Sequence, residues 1–184
     1  MKNTNRRIYY FGMAIIVLFA IGSYLFYKKS EIQVSSFAEC AAKYPVMETY
    51  PRQCKSLYGK TFVEDIGNEL AKDDLIRIES PRPNAEVKSP LKITGAARGN
   101  WYFEASFPVQ ILDANKNIIA QAPAEAKSDW MTTNFVPFEL TLDFKAPTTT
   151  TGFLVLKKDN PSGDPAKDDS LIIPIIFGQT NKVL

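Results

Sequence analysis

Twenty uncharged residues near the N-terminus constrain this chain more than any other feature of its sequence. Residues 8–27 read IYYFGMAIIVLFAIGSYLFY, with Arg6 and Arg7 before them and Lys28 and Lys29 after them. A helix rises about 1.5 Å per residue, so a run of this length spans a hydrocarbon core of roughly 30 Å and leaves the charges at the headgroups. The sequence therefore predicts a transmembrane helix over residues 8–27.

A cleaved secretory signal is the alternative interpretation, because signals share the basic start and the apolar middle. The apolar region of a signal is usually about 7 to 15 residues long and ends at a small-residue cleavage site. Here the run is longer, and it ends in the bulky and basic residues YLFYKK at 24–29. We therefore interpret residues 8–27 as an uncleaved, single-pass signal-anchor.

The positive charges around this anchor predict its orientation. Lys2, Arg6 and Arg7 precede the run, whereas Lys28 and Lys29 follow it. Because an excess of Lys and Arg marks the cytoplasmic side, we expect the N-terminus in the cytoplasm and the body of the chain outside it.

The two cysteines fit the same topology. Cys40 and Cys54 are the only cysteines of the sequence, and both lie outside the apolar run. An isolated pair at short spacing in an exported chain usually forms a disulfide, which in this loop would stabilise by about 3 kcal/mol. Two free thiols, the alternative, would require the body to face the cytosol.

The charge of the body argues against nucleic acid as a partner. Residues 1–29 hold five Lys or Arg and no Asp or Glu, which leaves 17 basic against 20 acidic side chains in residues 30–184, a net charge of −3. Binding to nucleic acid depends on Lys and Arg that neutralise phosphates. An acidic body lacks the excess of positive charge that such binding needs.

Chain length and turn residues divide the sequence into four parts. Residues 30–184 suffice for one ordinary domain and a small extra segment, and they are too few for two full cores. We expect a cytoplasmic tail and anchor over 1–29, a stalk and cysteine-paired segment over 30–71, a β-domain over 72–178 and a C-terminal tail over 179–184.

Alternating apolar positions predict the strands of the β-domain. Phe138, Leu140 and Leu142, for example, alternate with polar side chains, as in a strand with one face on a core. The same analysis predicts about seven strands, at 76–78, 91–94, 107–111, 118–121, 138–144, 153–156 and 171–177. Pro, Gly, Asn and Asp separate these runs, a pattern typical of an antiparallel β-sandwich.

Several segments of this β-domain resemble one known family. They read IESPRPN at 78–84, LKITGAA at 91–97, GNWYFE at 99–104, FLVL at 153–156, PSGDP at 161–165 and IIPIIF at 172–177. In this order they are similar to the immunoglobulin-like domain of bacterial spore germination, from about residue 75 to 177. The resemblance implies an immunoglobulin-like fold in an extracytoplasmic binding or assembly module with no assigned activity. The hairpin at 115–117, NKN, departs from the family, where a Gly is expected.

The cysteine-paired segment carries a fainter resemblance. Residues 59–62, GKTF, follow Cys54, and they are similar to one corner of a Kazal-type inhibitor. A Kazal domain needs several more cysteines, so a small protease-inhibitor segment is the least favoured alternative.

The sequence offers no obvious catalytic constellation. It contains no His, which removes Ser-His-Asp and Cys-His catalysis and His-ligated zinc. A pair of carboxylates acting on cell-wall or other glycans is the main enzymatic alternative, although no acidic pair stands out. We assign no catalytic residue, metal or cofactor, and we predict that the protein is not an enzyme.

Two places remain as candidate sites. The acidic loop 159–169, DNPSGDPAKDD, holds carboxylates that favour calcium, but its spacing fits no EF-hand and its composition is that of an ordinary turn. Trp101 and Tyr102 follow a Gly-Asn turn and precede Phe103, so we expect at least one exposed ring there, with Trp130 nearby. The alternative is that Trp101 and Phe103 are core and Tyr102 caps an edge.

These observations predict a membrane-anchored envelope protein. We expect it in the bacterial cytoplasmic membrane, with its C-terminal body outside and with Trp101, Tyr102 and Trp130 as tentative binding residues. The predicted partner is an envelope protein or a cell-wall polymer.

Overall fold

The computed structural model describes residues 13, 15–23 and 34–178. Residues 15–23 are helical and belong to the predicted transmembrane run, whose remaining residues, apart from residue 13, lie outside the described part. In the described part of the chain, no helix is both long and apolar enough to cross a membrane.

The described body after residue 33 forms two compact units, one of residues 34–48 and 52–62 and the other of residues 49–51 and 63–178. In the first unit, the helix Phe37–Ala41 accompanies three short strands, β1 (Val46–Met47), β2 (Gln53–Lys55) and β3 (Thr61–Val63), the last residue of which is counted with the second unit. The predicted disulfide between Cys40 and Cys54 is present, and both cysteines are fully buried. Because the first unit has few other buried apolar residues, this covalent bond forms the centre of its core.

The second unit consists of one helix, Glu69–Lys72, and eight strands. The strands are β4 (Ile76–Ser80), β5 (Glu86–Val87), β6 (Leu91–Arg98), β7 (Ser106–Asp113), β8 (Ile118–Ala126), β9 (Phe135–Leu142), β10 (Thr151–Lys157) and β11 (Ser170–Phe177). They follow the order β4-β6-β9-β8-β7-β10-β11-β5 in one curled sheet. The predicted immunoglobulin-like β-sandwich is confirmed.

The sheet curls because β8 and β9 pair over a very short stretch. Among the described residues their ladder consists of Glu125 with Glu139 and Ala126 with Phe138. One layer of the sandwich is therefore β4-β6-β9, and the other is β8-β7-β10-β11-β5. The core fills the space between these two layers.

Alternation along each strand places the core side chains. Phe138 and Leu142 of β9 are buried, whereas Thr141, which precedes Leu142 and points to the opposite face, is exposed. Gly95 of β6 lies opposite Phe138, and a Cβ at this glycine would come within 2.6 Å of the Phe138 ring and 2.2 Å of a backbone carbonyl oxygen. The ring thus occupies the space that a side chain at residue 95 would need.

Two details differ from the predicted sandwich of about seven antiparallel strands. The eighth strand, β5, has two residues, too few for a periodic pattern, and it pairs with β11 in parallel. The backbone of the hairpin at 115–117 shows why a Gly is expected there. Lys116 adopts a left-handed φ of 66°, the conformation that favours Gly, so this chain has Lys where the turn geometry favours Gly.

The outer edge of β11 is covered along much of its length. The amide of Asn68 donates to the Ile172 carbonyl (3.1 Å), and the Asn68 side chain accepts from the Ile172 amide (2.7 Å). Further along, the amide of Asn84 donates to the Pro174 carbonyl (2.7 Å), and β5 pairs with Ile176 and Phe177. These contacts satisfy backbone groups that an open edge would offer to another chain.

Candidate functional site: the outward face of β7 and β8

The predicted aromatic site is not on the surface. Trp101 and Tyr102 are 1% and 4% exposed, and a short 3-10 helix at Gly99–Trp101 turns both rings into the core. The Tyr102 hydroxyl donates to the Val136 carbonyl (2.7 Å), and its ring meets Phe107 edge-on at 5.1 Å. Burial raises the pKa of Tyr102, so its hydroxyl stays protonated. The assignment of Trp101 and Tyr102 to a binding surface is therefore corrected.

The other aromatic side chains of this region differ in exposure. Trp130, the third predicted residue, is half-buried and packs against the core. Phe103 is 40% exposed and is the accessible ring of the run. The sequence thus indicated correctly that one ring is exposed but assigned the exposure to the wrong positions.

Phe103 begins a tight turn whose backbone is strained. Phe103 and Ser106 exchange two backbone hydrogen bonds (3.0 and 3.1 Å), and between them Glu104 and Ala105 have φ values of 48° and 63°. A turn with two left-handed residues usually contains Asn and Gly, because a Cβ costs about 1–2 kcal/mol in this conformation. The turn holds Phe103 at the end of the domain where β7 begins.

A groove of about 520 Å³ lies beside this turn, on the second layer of the sandwich. Its lining comes from the start of β7, the second half of β8 and the end of β10. The lining residues are Ser106, Phe107, Pro108, Val109, Gln110, Gln121, Ala122, Pro123, Lys157 and Asp159. Because Phe107 and Val109 point into the core, the alternating residues Pro108 and Gln110 face outward from this part of the sheet.

Neutral polar and aliphatic groups line most of this groove. Pro108 lies opposite Pro123, and Gln110 lies opposite Gln121, with its side-chain amide donating to the Gln121 side-chain oxygen (3.2 Å). Lys157 supplies one positive charge and Asp159 one negative charge at the end near the turn. Such a lining can recognise a partner by hydrogen bonds and by packing on the prolines.

The acidic loop 159–169 is closed by its own hydrogen bonds. The Asn160 side chain donates to the Asp164 carbonyl (2.8 Å) and to the Asp168 carboxylate (2.7 Å). Asp169 forms an ion pair with Lys72 (2.6 Å). Within the described residues, no group of three or more acidic, Cys or His side chains could hold a metal ion. Local hydrogen bonds and the ion pair account for much of the polar composition of this loop.

A second polar cluster lies in the same unit, around Glu69, which is 7% exposed. The Arg82 guanidinium pairs with one Glu69 oxygen (2.6 Å), and the Tyr50 hydroxyl donates to the other. Partial desolvation of the half-exposed Tyr50, followed by this hydrogen bond, raises the pKa of Tyr50 to about 12. Arg82 also donates to the Ile78 carbonyl (2.5 Å). Because the buried charge is paired, we assign this cluster to stability.

The sequence analysis missed the groove, although one signal for it was present. Pro108 lies seven residues before Asn115, the middle of the hairpin turn at 113–117, and Pro123 lies eight residues after it. This nearly equal spacing predicts that the two prolines lie close together across β7 and β8, and the one-residue bulge at Ile119 brings them directly opposite each other. The groove itself depends on the curvature of the sheet and on β10, which local patterns do not reveal.

The comparison with protein families gives one finding. Residues 75–164 match the immunoglobulin-like domain of bacterial spore germination. This match includes β4 to β10 and most of the acidic loop, and it ends before β11. The resemblance expected to about residue 177 is thus supported over a shorter range. Neither the comparison with curated proteins nor that with solved structures finds a match.

The burial of Tyr102 predicts two distinct losses of stability. Tyr102→Phe removes the hydrogen bond to the Val136 carbonyl and should lower the free energy of unfolding by about 1 kcal/mol. Tyr102→Ala also leaves a cavity beside Phe107 and should cost about 3–5 kcal/mol. Urea unfolding of the full chain in detergent measures both. Phe103→Ala is the control, expected within about 0.5 kcal/mol of wild type, and an unchanged midpoint for Tyr102→Ala would contradict the assignment of this ring to the core.

Proposed function

We propose that this protein is a non-enzymatic binding or assembly module of the bacterial cell envelope, with its partner seated on the groove of β7 and β8. The observation that carries the proposal is the outward lining of this groove, with its glutamine pair, its proline pair and a single carboxylate, that of Asp159. The family match at residues 75–164 is consistent with such a module.

The composition of the groove favours binding over glycan hydrolysis. A glycosidase places two carboxyl groups about 5–10 Å apart across the scissile bond. Asp159 is the carboxylate among the lining residues, and Lys157 is the other charged group. A Lys and an Asp at one end of a neutral groove can orient a polar partner, because each offers a charge-assisted hydrogen bond.

We further propose that residues 8–27 anchor the protein in the cytoplasmic membrane and that the two units lie outside. The length of the uncharged run supports the anchor, and the disulfide between Cys40 and Cys54 supports an oxidising compartment. The predicted partner is accordingly an envelope protein or a cell-wall polymer.

This topology predicts how the protein behaves on extraction and on alkylation. The full chain should stay in membranes washed with alkaline carbonate and leave them in detergent, whereas a variant lacking residues 8–27 should not sediment with membranes. Cys40 and Cys54 should resist maleimide until a reductant is added, because they form the disulfide. Release by carbonate, or rapid labelling of both thiols in unreduced cells, would contradict the proposed location.

The groove itself is tested by site-specific photo-cross-linking in cells that make the full chain. A benzoylphenylalanine at Gln110, within the groove, should give a discrete adduct with the partner. The control is the same residue at Thr141, an exposed outward position of β9 in the other layer. We expect an adduct from Gln110 and none from Thr141, and equal yields from both positions, or none from Gln110, would contradict the proposed binding surface.

A further inference from the structure

β8 pairs with β7 along its length on one side and with β9 at two residues on the other. On its β7 side the ladder runs from Glu125 to Ile118, whereas on its β9 side the described residues pair at Glu125 and Ala126 alone. β9 pairs with β6 over its whole length, from Phe135 to Leu142, and its pairs with β8 lie at Phe138 and Glu139. The stretch 118–124 therefore has no paired strand on its β9 side among the described residues, and we call this unpaired side of β8 the gap.

The two facing prolines show which backbone groups point into this gap. Pro108 and Pro123 have no N–H, so their pair belongs to the class of antiparallel pairs that exchange no hydrogen bonds. Such pairs alternate with hydrogen-bonded pairs along the ladder. Gln110 and Gln121 form the pair two positions from the prolines with no bulge between, so this pair also exchanges no hydrogen bonds. The N–H and C=O of Gln121 and the C=O of Pro123 are thus directed away from β7, towards the gap.

The same alternation explains where pairing with β9 does occur. Glu125 lies two residues beyond Pro123 and belongs to the same class, so its backbone groups also point away from β7. There they meet Glu139 of β9. The unpaired backbone groups of Gln121 thus lie on the same side of β8 as the groups of Glu125 that pair with β9.

Apolar side chains flank the gap. Six partly buried residues that pack on the core lie in β8, in β9 or just after β9: Ile119, Ala120, Ala122, Ala126, Leu140 and Phe144. Incomplete burial along one seam indicates that the core is less well covered there. A ligand in the gap would therefore meet backbone hydrogen-bonding groups on β8 and apolar surface below them.

From this juxtaposition we infer that the β8 edge binds an extended segment of another protein, which adds a strand beside Gln121. A polypeptide strand offers an acceptor and a donor for the N–H and C=O of Gln121 and a second donor about 6.7 Å along for the C=O of Pro123, a regular spacing that a glycan does not have. Apolar side chains at alternate positions of this segment would cover the seam. The inference rests on the proposed binding function and specifies the chemical class of the partner.

A second copy of this chain fits the edge less well than a foreign segment does. In a two-fold arrangement centred on Gln121, Ile119 of one copy would face Pro123 of the other. Ile119 lies in a β-bulge of the β7–β8 ladder, and Pro123 has no N–H to donate. The regular pairing available to two copies is therefore short.

The contrast with β11 supports a role for the open edge. The outer side of β11 is covered by Asn68, Asn84 and β5. On β8 the bulge at Ile119 and the proline at residue 123 limit pairing at the two ends of the edge, and between them the N–H and C=O of Gln121 have no ladder partner among the described residues. The chain thus covers much of one edge of this layer and leaves a short stretch of the other without a paired strand.

The test uses the full chain in detergent and a displayed library of random twelve-residue linear peptides, from which binders are selected and resynthesised. Gln121→Pro removes the N–H that points into the gap and leaves the ladder to β7 intact, and β8 already accepts a proline two residues on. Gln121→Ala is the matched control, since it changes the side chain and keeps the N–H. Both variants lose the side chain that lines the groove, so the comparison between them isolates the N–H, and we expect Gln121→Pro to bind roughly tenfold more weakly than Gln121→Ala.

Equal affinities for the two variants, or equal losses in both, would overturn the inference, as would a selection without specific binders. If thermal unfolding shows that Gln121→Pro does not fold, the selected peptide is modified instead of the protein. Methylation of alternate peptide nitrogens should abolish binding in one register and spare it in the other, and identical effects in both registers would overturn strand addition. Sedimentation of the chain alone should show monomers, and a dimer that Gln121→Pro dissociates would overturn the assignment to a foreign segment.

These outcomes are distinguishable from failure of the proposed function. A cross-link from Gln110 together with unchanged peptide binding by Gln121→Pro would mean that the partner sits on the face of the sheet and not at its edge. The binding function would then stand without the inference.

Discussion

The edge-to-face contact between Phe107 of β7 and Phe138 of β9 joins the two layers of the sandwich. The ring centroids are 5.0 Å apart and both side chains are fully buried. Such a pair contributes about 0.5–1.5 kcal/mol beyond the burial of its surface. More important for function, it fixes which side of β7 faces the core, so that Pro108 and Gln110 face outward. A shift of one residue in this register would exchange the two sets.

The same core decides what the aromatic run can do. Tyr102 extends the ring stack from Phe107, and its hydroxyl reaches the Val136 carbonyl in the other layer. A buried hydroxyl needs such a partner, because an unpaired one would cost about 1–3 kcal/mol. We therefore place the proposed binding on the surfaces that this core positions, namely the groove and the neighbouring edge of β8.

Much of this fold follows from the sequence because strands bury every second residue. Alternation alone predicts Phe138, Leu140 and Leu142 as core, and the structure buries Phe138 and Leu142 and packs the partly buried Leu140 against them. The disulfide likewise followed from an isolated pair of cysteines. Strand alternation is a local pattern, and the disulfide involves a single pair of residues. Both can therefore be predicted from one sequence.

The remaining features depend on contacts that a local pattern does not contain. The exposure of Trp101 and Tyr102 was predicted incorrectly because the 3-10 turn at Gly99–Trp101 and the carbonyl of Val136 are needed to bring them inward. The parallel pairing of β5, a strand of two residues, depends on β11, which lies far along the chain. The groove arises where three strands and the acidic loop meet, so its residues show no common motif.

The central claim is that β8 presents a free backbone edge at Gln121 beside the groove. Amide-resolved hydrogen exchange of the full chain in detergent tests it directly, because the alternation directs the Ala122 N–H to β7 and the Gln121 N–H outward. We predict that the Gln121 amide exchanges within roughly tenfold of the rate of an unstructured peptide and that the Ala122 amide exchanges at least about a hundredfold more slowly. Comparable protection of the two amides would contradict the account.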